Sequence, residues 1–273
     1  MRKLIADRKE ILAGIFAEEV ILGQGVVFGE GVQMGTRENP LRRVELGDNV
    51  WLGAGSSIIS PEFKVRDYSK LHSGLLVYGK GACSIGYNAW VGQNTLLDSE
   101  GDLSIGNNVG IGAMSQLWSH ILYGDVMEGC RFDSARPCRI GNDVWLVGHC
   151  IVSPVTAQDK SMAMVGSVVV KDMEYNHVYA GVPAVDVTAK TGPQFREVTG
   201  AEKLEYLNAR KKEFFRQNPG LDSSRIEIGA GASKDKPGVT YFDVERRTYT
   251  KRRLREEIEF IQFLLPRAKF IPA

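Results

Sequence analysis

An aliphatic or apolar residue returns at every sixth position through most of this chain. Leu22, Phe28 and Met34 form one set, and Leu46, Leu52 and Ile58 a second. Ile85, Val91 and Leu97, then Ile105, Ile111 and Leu117, then Ile140, Leu146 and Val152 repeat it, and Ala163 and Val169 continue it with weaker spacing. Glycine often follows directly, as at Gly23, Gly29, Gly47, Gly53, Gly86, Gly92, Gly106, Gly112 and Gly141. A period of six suits neither an α-helix, at about 3.6 residues per turn, nor an ordinary strand, at 2. It suits very short strands that turn a corner every sixth residue, so that three corners close a coil of roughly 18 residues. The apolar residue points into a narrow prism, and the small residue after it lets the backbone bend without a Cβ clash. Coils stacked at the parallel strand spacing of about 4.8 Å give, for roughly six coils, a rod on the order of 30 Å long. A Gly-rich β-sandwich, the other fold open to such a composition, would show period-2 strands and turns every 8–12 residues or so. The reading is a mainly β chain, a parallel β-helix over residues 20–190.

Two stretches break the rhythm. Residues 62–81 look irregular and predict a distorted coil. Residues 121–136 form an excursion after His120 that ends at Pro137. Loops thrown out from a rigid scaffold are where sites are built. At the start, residues 1–19 predict a short amphipathic helix, with Leu4, Ile5, Ile11, Leu12, Ile15 and Phe16 near one stripe. Past Thr191 the composition changes to a small α+β appendage over 191–273. Thr199 and Glu202 form a capping-box pattern before a helical run that ends at Asn218-Pro219-Gly220. Strands are expected at Arg225–Ile228 and Val239–Glu245. A second helix is expected from Thr250 to Leu265, stopped by Pro266.

Bulk composition excludes little. A formal net charge of +1 gives no sign of a nucleic-acid scaffold. Cys83, Cys130, Cys138 and Cys150 show no CxxC pair, and a domain of this size needs no disulfide, so reduced thiols are expected. There is no apolar run long enough for a transmembrane helix, and the charged Asp7-Arg8-Lys9-Glu10 interrupts any signal-peptide core. A cytoplasmic protein is the expectation.

The segments Ile140–Pro154 (IGNDVWLVGHCIVSP) and Val165–Ala184 (VGSVVVKDM through YAGVPA) resemble the closing coils of hexapeptide-repeat acyltransferases, above all galactoside and maltose acetyltransferases and bacterial sugar O-acetyltransferases. The resemblance covers about residues 20–190. It implies a left-handed coil, against the usual right-handed crossover, and a homotrimer with sites between neighbouring prisms. It implies acetyl-CoA as co-substrate, no metal, and a small-molecule or glycan acceptor.

Acyl transfer from a thioester to a hydroxyl needs a base, and a neutral imidazole suits that task near neutral pH. Of His72, His120, His149 and His177, His120 closes a repeat and precedes the excursion. The family places its catalytic histidine there, before a Pro–x–x–Ile–Gly segment that reads Pro137-Cys138-Arg139-Ile140-Gly141 here. His149 resembles a family histidine that is not the base, and reads as structural or cleft-lining. Asn94 matches a family asparagine that contacts the acceptor sugar, and reads equally well as a corner asparagine. Gly148 is the candidate amide for the oxyanion. The resemblance lays the pantetheine arm along small surface residues, Gly148 and Gly166, with Trp145 near the thioester and Lys171 near the adenosine phosphates. Trp51, Trp90 and Trp145 each precede an inward residue and should point outward, where packing between subunits would cover them.

Two rival classes share the fold. A γ-type carbonic anhydrase needs three histidine ligands, two of them five residues apart; Ser115 and Asp125 stand where such a partner of His120 would. A non-catalytic trimeric rod would need neither the excursion nor the Lys171 segment. The expected activity is O-acetylation of a sugar or glycan hydroxyl with His120 as general base. N-acetylation of an amino sugar is the alternative.

Overall fold

The computed structural model describes residues 14–231 and 236–273, together with the backbone of Arg2–Ile5. The chain divides into two compact units, Met1–Phe195 and Arg196–Ala273.

The first unit is a parallel β-helix with a triangular cross-section. Each coil visits three faces in turn. In the first coil these are Ala17–Leu22 on the first face, Val27–Phe28 on the second and Gln33–Met34 on the third. The pattern repeats through Cys138–Ile140, Trp145–Leu146, Ile151–Val152 and a last coil of Thr156–Ala157, Met162–Ala163 and Val168–Val169. Like faces stack in register as sheets of eight, nine and seven strands, parallel except for the antiparallel terminal strands Arg2–Ile5 and Ala184–Asp186. Leu97, for example, sits beside Val77 on one side and Leu117 on the other. The sixth-position residues line the prism axis and are buried, from Leu46 to Val169. Burying a Leu, Ile or Val side chain contributes about 1.5–3 kcal/mol, and a column of them on each face makes one continuous core.

Residues 62–81 are not distorted. They form a regular coil of Glu62–Val65, Lys70–Leu71 and Leu76–Tyr78, with Val65, Leu71 and Val77 buried six residues apart. The period is intact there. What is missing is the glycine after each inward residue, because Arg66, His72 and Tyr78 occupy those places. A corner residue needs room for its own side chain, not glycine as such, and these three find it by pointing outward.

The expected N-terminal helix is replaced, where the structure describes it, by strands. Arg2–Ile5 pairs antiparallel with Ala17–Leu22, in the register Arg2 to Leu22. The open edge of the first face would otherwise expose unpaired backbone groups, and a strand satisfies them where a helix would not. Positions 6–13 of that expectation lie outside the described residues.

The excursion leaves after the fifth coil as a hairpin, His120–Leu122 paired with Asp133–Ala135, before the chain re-enters the first face at Cys138. The second unit holds the helices Gly200–Gln217 and Arg255–Leu264 and a four-stranded sheet that includes Ile226–Gly229 and Thr240–Asp243. Its core is aromatic, built on Phe214, Phe242, Tyr249 and Phe260. The second helix starts at Arg255 rather than Thr250. The buried Glu257 carboxylate accepts from the backbone N–H of Arg252 (2.7 Å) and of Arg253 (3.1 Å), and holds that stretch extended ahead of the first turn.

Candidate active site

The three edges of the prism are finished differently, and the difference points to where a ligand can bind. At the edge between the first and second faces, the amide that faces along the axis is met by an Asp or Asn side chain from the next coil. Asp48 Oδ1 accepts from Gln24 N (2.7 Å), Asp67 Oδ1 from Asp48 N (2.8 Å), Asn142 Oδ1 from Asn107 N (2.9 Å) and Asp159 Oδ1 from Asn142 N (2.7 Å). At the edge between the second and third faces the corner residues Gly55, Gly74, Asn94, Met114, His149 and Gly166 have positive φ, between 50 and 73°. Each corner amide donates back to the preceding coil, as in His149 N to Ala113 O (2.9 Å) and Gly166 N to Gly148 O (2.9 Å). The amide one residue earlier, at Ser73, Gln93, Ala113, Gly148 and Val165, finds no acceptor among the described residues. This edge therefore carries a row of spare N–H donors at the coil spacing of about 4.8 Å. Asn94, Gly148 and Gly166 all lie on it. Trp145 stands on the adjoining second face, half exposed, with its indole over Gly110 of the neighbouring coil.

His120 sits at the opposite edge, between the third and first faces. Its Nδ1 lies 2.7 Å from Asp98 Oδ2; both atoms are shielded from solvent, and the pair is a close charge contact that lacks the angle of a formed hydrogen bond. Asp98 itself has no solvent exposure. Its Oδ1 accepts from the Ser119 backbone N–H (3.0 Å), from the Ser119 hydroxyl and, at longer range, from the Glu100 N–H (3.3 Å). Burial pushes the Asp98 carboxyl upward, but the two Ser119 donors and the adjacent His120 outweigh it and hold the group below the usual carboxylate range. A carboxylate against Nδ1 keeps the neutral ring's proton on that nitrogen, leaving Nε2 as the free acceptor. The side chain is 20% exposed, and Nε2 has no protein partner among the described residues. The ring is held edge-on by Tyr78 and Trp118, with centroids 6.4 and 6.1 Å away. These features fit a general base: one nitrogen oriented and charge-compensated, the other open.

Asp98 is not among the residues that the sequence singles out. Its signal lies in the coil length: Leu97 and Leu117 are stacked partners, so the residue after Leu97 lies one coil below the segment that leads into His120. Lys171 is exposed at this same edge, past Val168–Val169. His149 is an exposed corner residue. Asn94 is also exposed, and its side-chain oxygen folds back over Gly74, as a corner asparagine does. Trp90 and Trp145 point outward as expected, and Trp51 is partly covered, with His72 wedged against both Trp51 and Trp90 at centroid distances of 5.0 and 4.8 Å. Within one chain, then, His120 and Lys171 share one edge, while Asn94, Gly148 and Gly166 share the other.

All four cysteines are free thiols. Among the described residues no three of His, Cys, Asp and Glu come together as a metal-binding group, and no helix is long and apolar enough to cross a membrane.

Comparison with known proteins places this architecture. No protein-family model matches the chain. Galactoside O-acetyltransferase of Escherichia coli is 31% identical over 171 residues, which cover 62% of this chain and 70% of that enzyme. The chain belongs to the hexapeptide-repeat acetyltransferase family. It is an acyltransferase, and its helix is the left-handed parallel β-helix of that family. Among solved structures, the polySia specific acetyltransferase NeuO is 20% identical, with 73% of this chain and 97% of that one covered at a TM-score of 0.46. A maltose O-acetyltransferase from Clostridium difficile is 22% identical, with 51% and 70% covered at a TM-score of 0.34. At these scores the structural likenesses add nothing to the family assignment, which rests on the sequence match.

Proposed function

We propose that the protein transfers an acetyl group from acetyl-CoA to a sugar or glycan hydroxyl, with His120 as general base. The observation that carries the reading is the Asp98–His120 pair with Nε2 open. Nε2 takes the proton of the acceptor hydroxyl as its oxygen attacks the thioester carbonyl carbon. The tetrahedral intermediate carries an oxyanion, for which the spare Gly148 N–H is the donor. Collapse of the intermediate expels the coenzyme A sulfur, which takes the proton back from the imidazolium.

The separation of residues between two edges supports a site shared between copies. His120 of one prism would face Asn94, Trp145, Gly148 and Gly166 of another, and a closed ring of three prisms completes three such clefts. The large apolar side chains at the hairpin tip, Tyr123, Met127 and Phe132, are largely exposed in the single chain, which fits burial in an assembly. The row of spare amides suits the amide-rich pantetheine arm, and the exposed Lys171 ammonium suits a phosphate of the adenosine end. A cytoplasmic location accords with the use of coenzyme A.

Thiol release from acetyl-CoA, measured against galactosides, maltose, sialic-acid oligomers and glucosamine, tests the reading and separates O- from N-transfer. His120→Ala is expected to abolish turnover with coenzyme A affinity retained; near-wild-type turnover removes His120 as the base. Asn94→Gly keeps the corner, so a raised acceptor KM in that variant identifies a sugar contact.

A further inference from the structure

We propose that the acceptor is a glycan chain rather than a single sugar, and that it lies along an aromatic strip on the second face, on Trp51, His72 and Trp90. The outward residues of that face fall in one column. Trp51 pairs in register with Lys70, Lys70 with Trp90, Trp90 with Gly110 and Gly110 with Trp145. Four coil steps therefore separate Trp51 from Trp145, about 19 Å at the parallel strand spacing. Lys70 is exposed, and His72, two residues on, fills the space between the two lower tryptophans, at centroid distances of 5.0 and 4.8 Å and interplanar angles of 69° and 54°. Aromatic contact holds the ring there, because its Nε2 is buried and meets no hydrogen-bond partner among the described residues. At the upper end the Trp145 indole covers the gap left by Gly110. The strip is close to continuous, with Trp90 39% and Trp145 48% exposed.

Two features beside the strip point to a sugar chain. The adjoining edge carries the spare N–H groups of Ser73, Gln93 and Ala113 at the same coil spacing, together with the exposed side chains of Gln93 and Asn94. A pyranose ring has a C–H face that packs on an aromatic ring, and a rim of hydroxyls that hydrogen-bond N–H groups and side-chain amides. The strip offers the first and the edge offers the second, repeated from coil to coil, and the length suits a run of several rings. Packing against a second prism fits less well. Lys70 stands in the middle of the strip with no carboxylate in ion-pair range among the described residues, and a dry contact would bury its ammonium unpaired. In an acceptor groove it stays in water or meets an acidic sugar. The strip is also continuous with the candidate site. Coenzyme A on Gly148 and Gly166, running toward Lys171, takes the upper coils. The same edge below Asn94 is then left for the acceptor, its reacting sugar beside Asn94 and Gly148 and its chain passing Trp90 toward Trp51.

That the bound chain is the acceptor rests on the acetyl-transfer reading; the binding itself does not. The test uses the full-length protein and two series of sugars, glucose to maltoheptaose and sialic acid to its hexamer. Calorimetry reads binding, and thiol release from acetyl-CoA reads transfer. In at least one series Kd should fall by about tenfold or more from the shortest to the longest member, and kcat/KM should rise with it. Trp90→Ala should remove about tenfold of that chain-length advantage, while Trp90→Phe, which keeps an aromatic face, retains most of it. Trp90→Thr repeats the truncation with a better strand former where Trp90→Ala folds poorly. No gain with length in either series overturns the proposal, as does a truncated protein with an unchanged unfolding midpoint that keeps the full advantage. Dissociation of the assembly by Trp90→Ala, seen in sedimentation, also overturns it, because the strip is then a subunit contact. Single sugars acetylated with no length advantage leave the transferase reading standing without the strip. Longer chains bound through Trp90 with no thiol released from acetyl-CoA establish the strip and remove the transferase reading.

Discussion

Asp98→Asn is the perturbation that most directly probes the site, because the structure specifies what each atom would lose. The close polar neighbours of Asp98 are donors: the Ser119 N–H, the Ser119 hydroxyl and His120 Nδ1, with the Glu100 N–H further off at 3.3 Å. The asparagine amide has nearly the same shape but one acceptor oxygen. If that oxygen keeps the Ser119 N–H, the NH2 group faces Nδ1, and two donors meet in a buried pocket. The imidazole relieves this by moving its proton to Nε2, which can then no longer accept one. The loss expected is that of a general base held in the wrong tautomer, about 10²- to 10⁴-fold in kcat, or about 3–5.5 kcal/mol of transition-state stabilisation. Stability should fall by about 1–3 kcal/mol, the cost of a buried donor left unmatched. The two readouts differ in their pH behaviour. Asp98 is depressed in the folded state, so its stabilising contribution is present above the unfolded value of about 4 and is lost as pH falls through the folded value. The stability gap between wild type and Asp98→Asn should therefore be constant near neutrality and narrow in acid. The assays are thiol release from acetyl-CoA and thermal unfolding across pH. A variant whose kcat stays within about threefold of wild type, less than about 1 kcal/mol, would refute the role given to Asp98.

Two further outcomes test the scaffold. Gly112 packs against the next coil so closely that a methyl group there would overlap the Val147 carbonyl oxygen. Gly112→Ala should destabilise the β-helix by about 1–3 kcal/mol or more, seen as a lower unfolding midpoint in urea. In the second unit, Thr199 accepts from the Glu202 N–H (3.2 Å) while the Glu202 carboxylate accepts from the Thr199 N–H (2.8 Å). Thr199→Ala should cost about 1 kcal/mol, with faster amide exchange confined to the first turn of the helix Gly200–Gln217.

The β-helix was legible in the sequence because its period is a local property. Within each coil, from Leu46 to Val169, successive inward residues lie six places apart, and no long-range information is needed to count them. Treating glycine as part of the signal hid the regular coil of Val65, Leu71 and Val77. The inward position is required by the core, whereas the residue after it only has to fit a corner. The helix ends in the second unit were legible where a local cap governs them, as at Thr199 and Pro266. They were not where a distant group intervenes, as Glu257 does at Arg252 and Arg253. His120 stood out because it precedes the break at residues 121–136. Asp98 and Tyr78 did not, because a side chain a full coil or more away in sequence becomes a neighbour only once the coil length is known. The sequence by itself determined that the chain must wind into a prism and where its histidine would sit. Only the tertiary structure decided which carboxylate orients that histidine, which edge leaves its amides unpaired, and that the two lie apart on one prism. The reason is geometric: a six-residue period sets each corner locally, but what meets at an edge depends on the exact number of residues in the coil above.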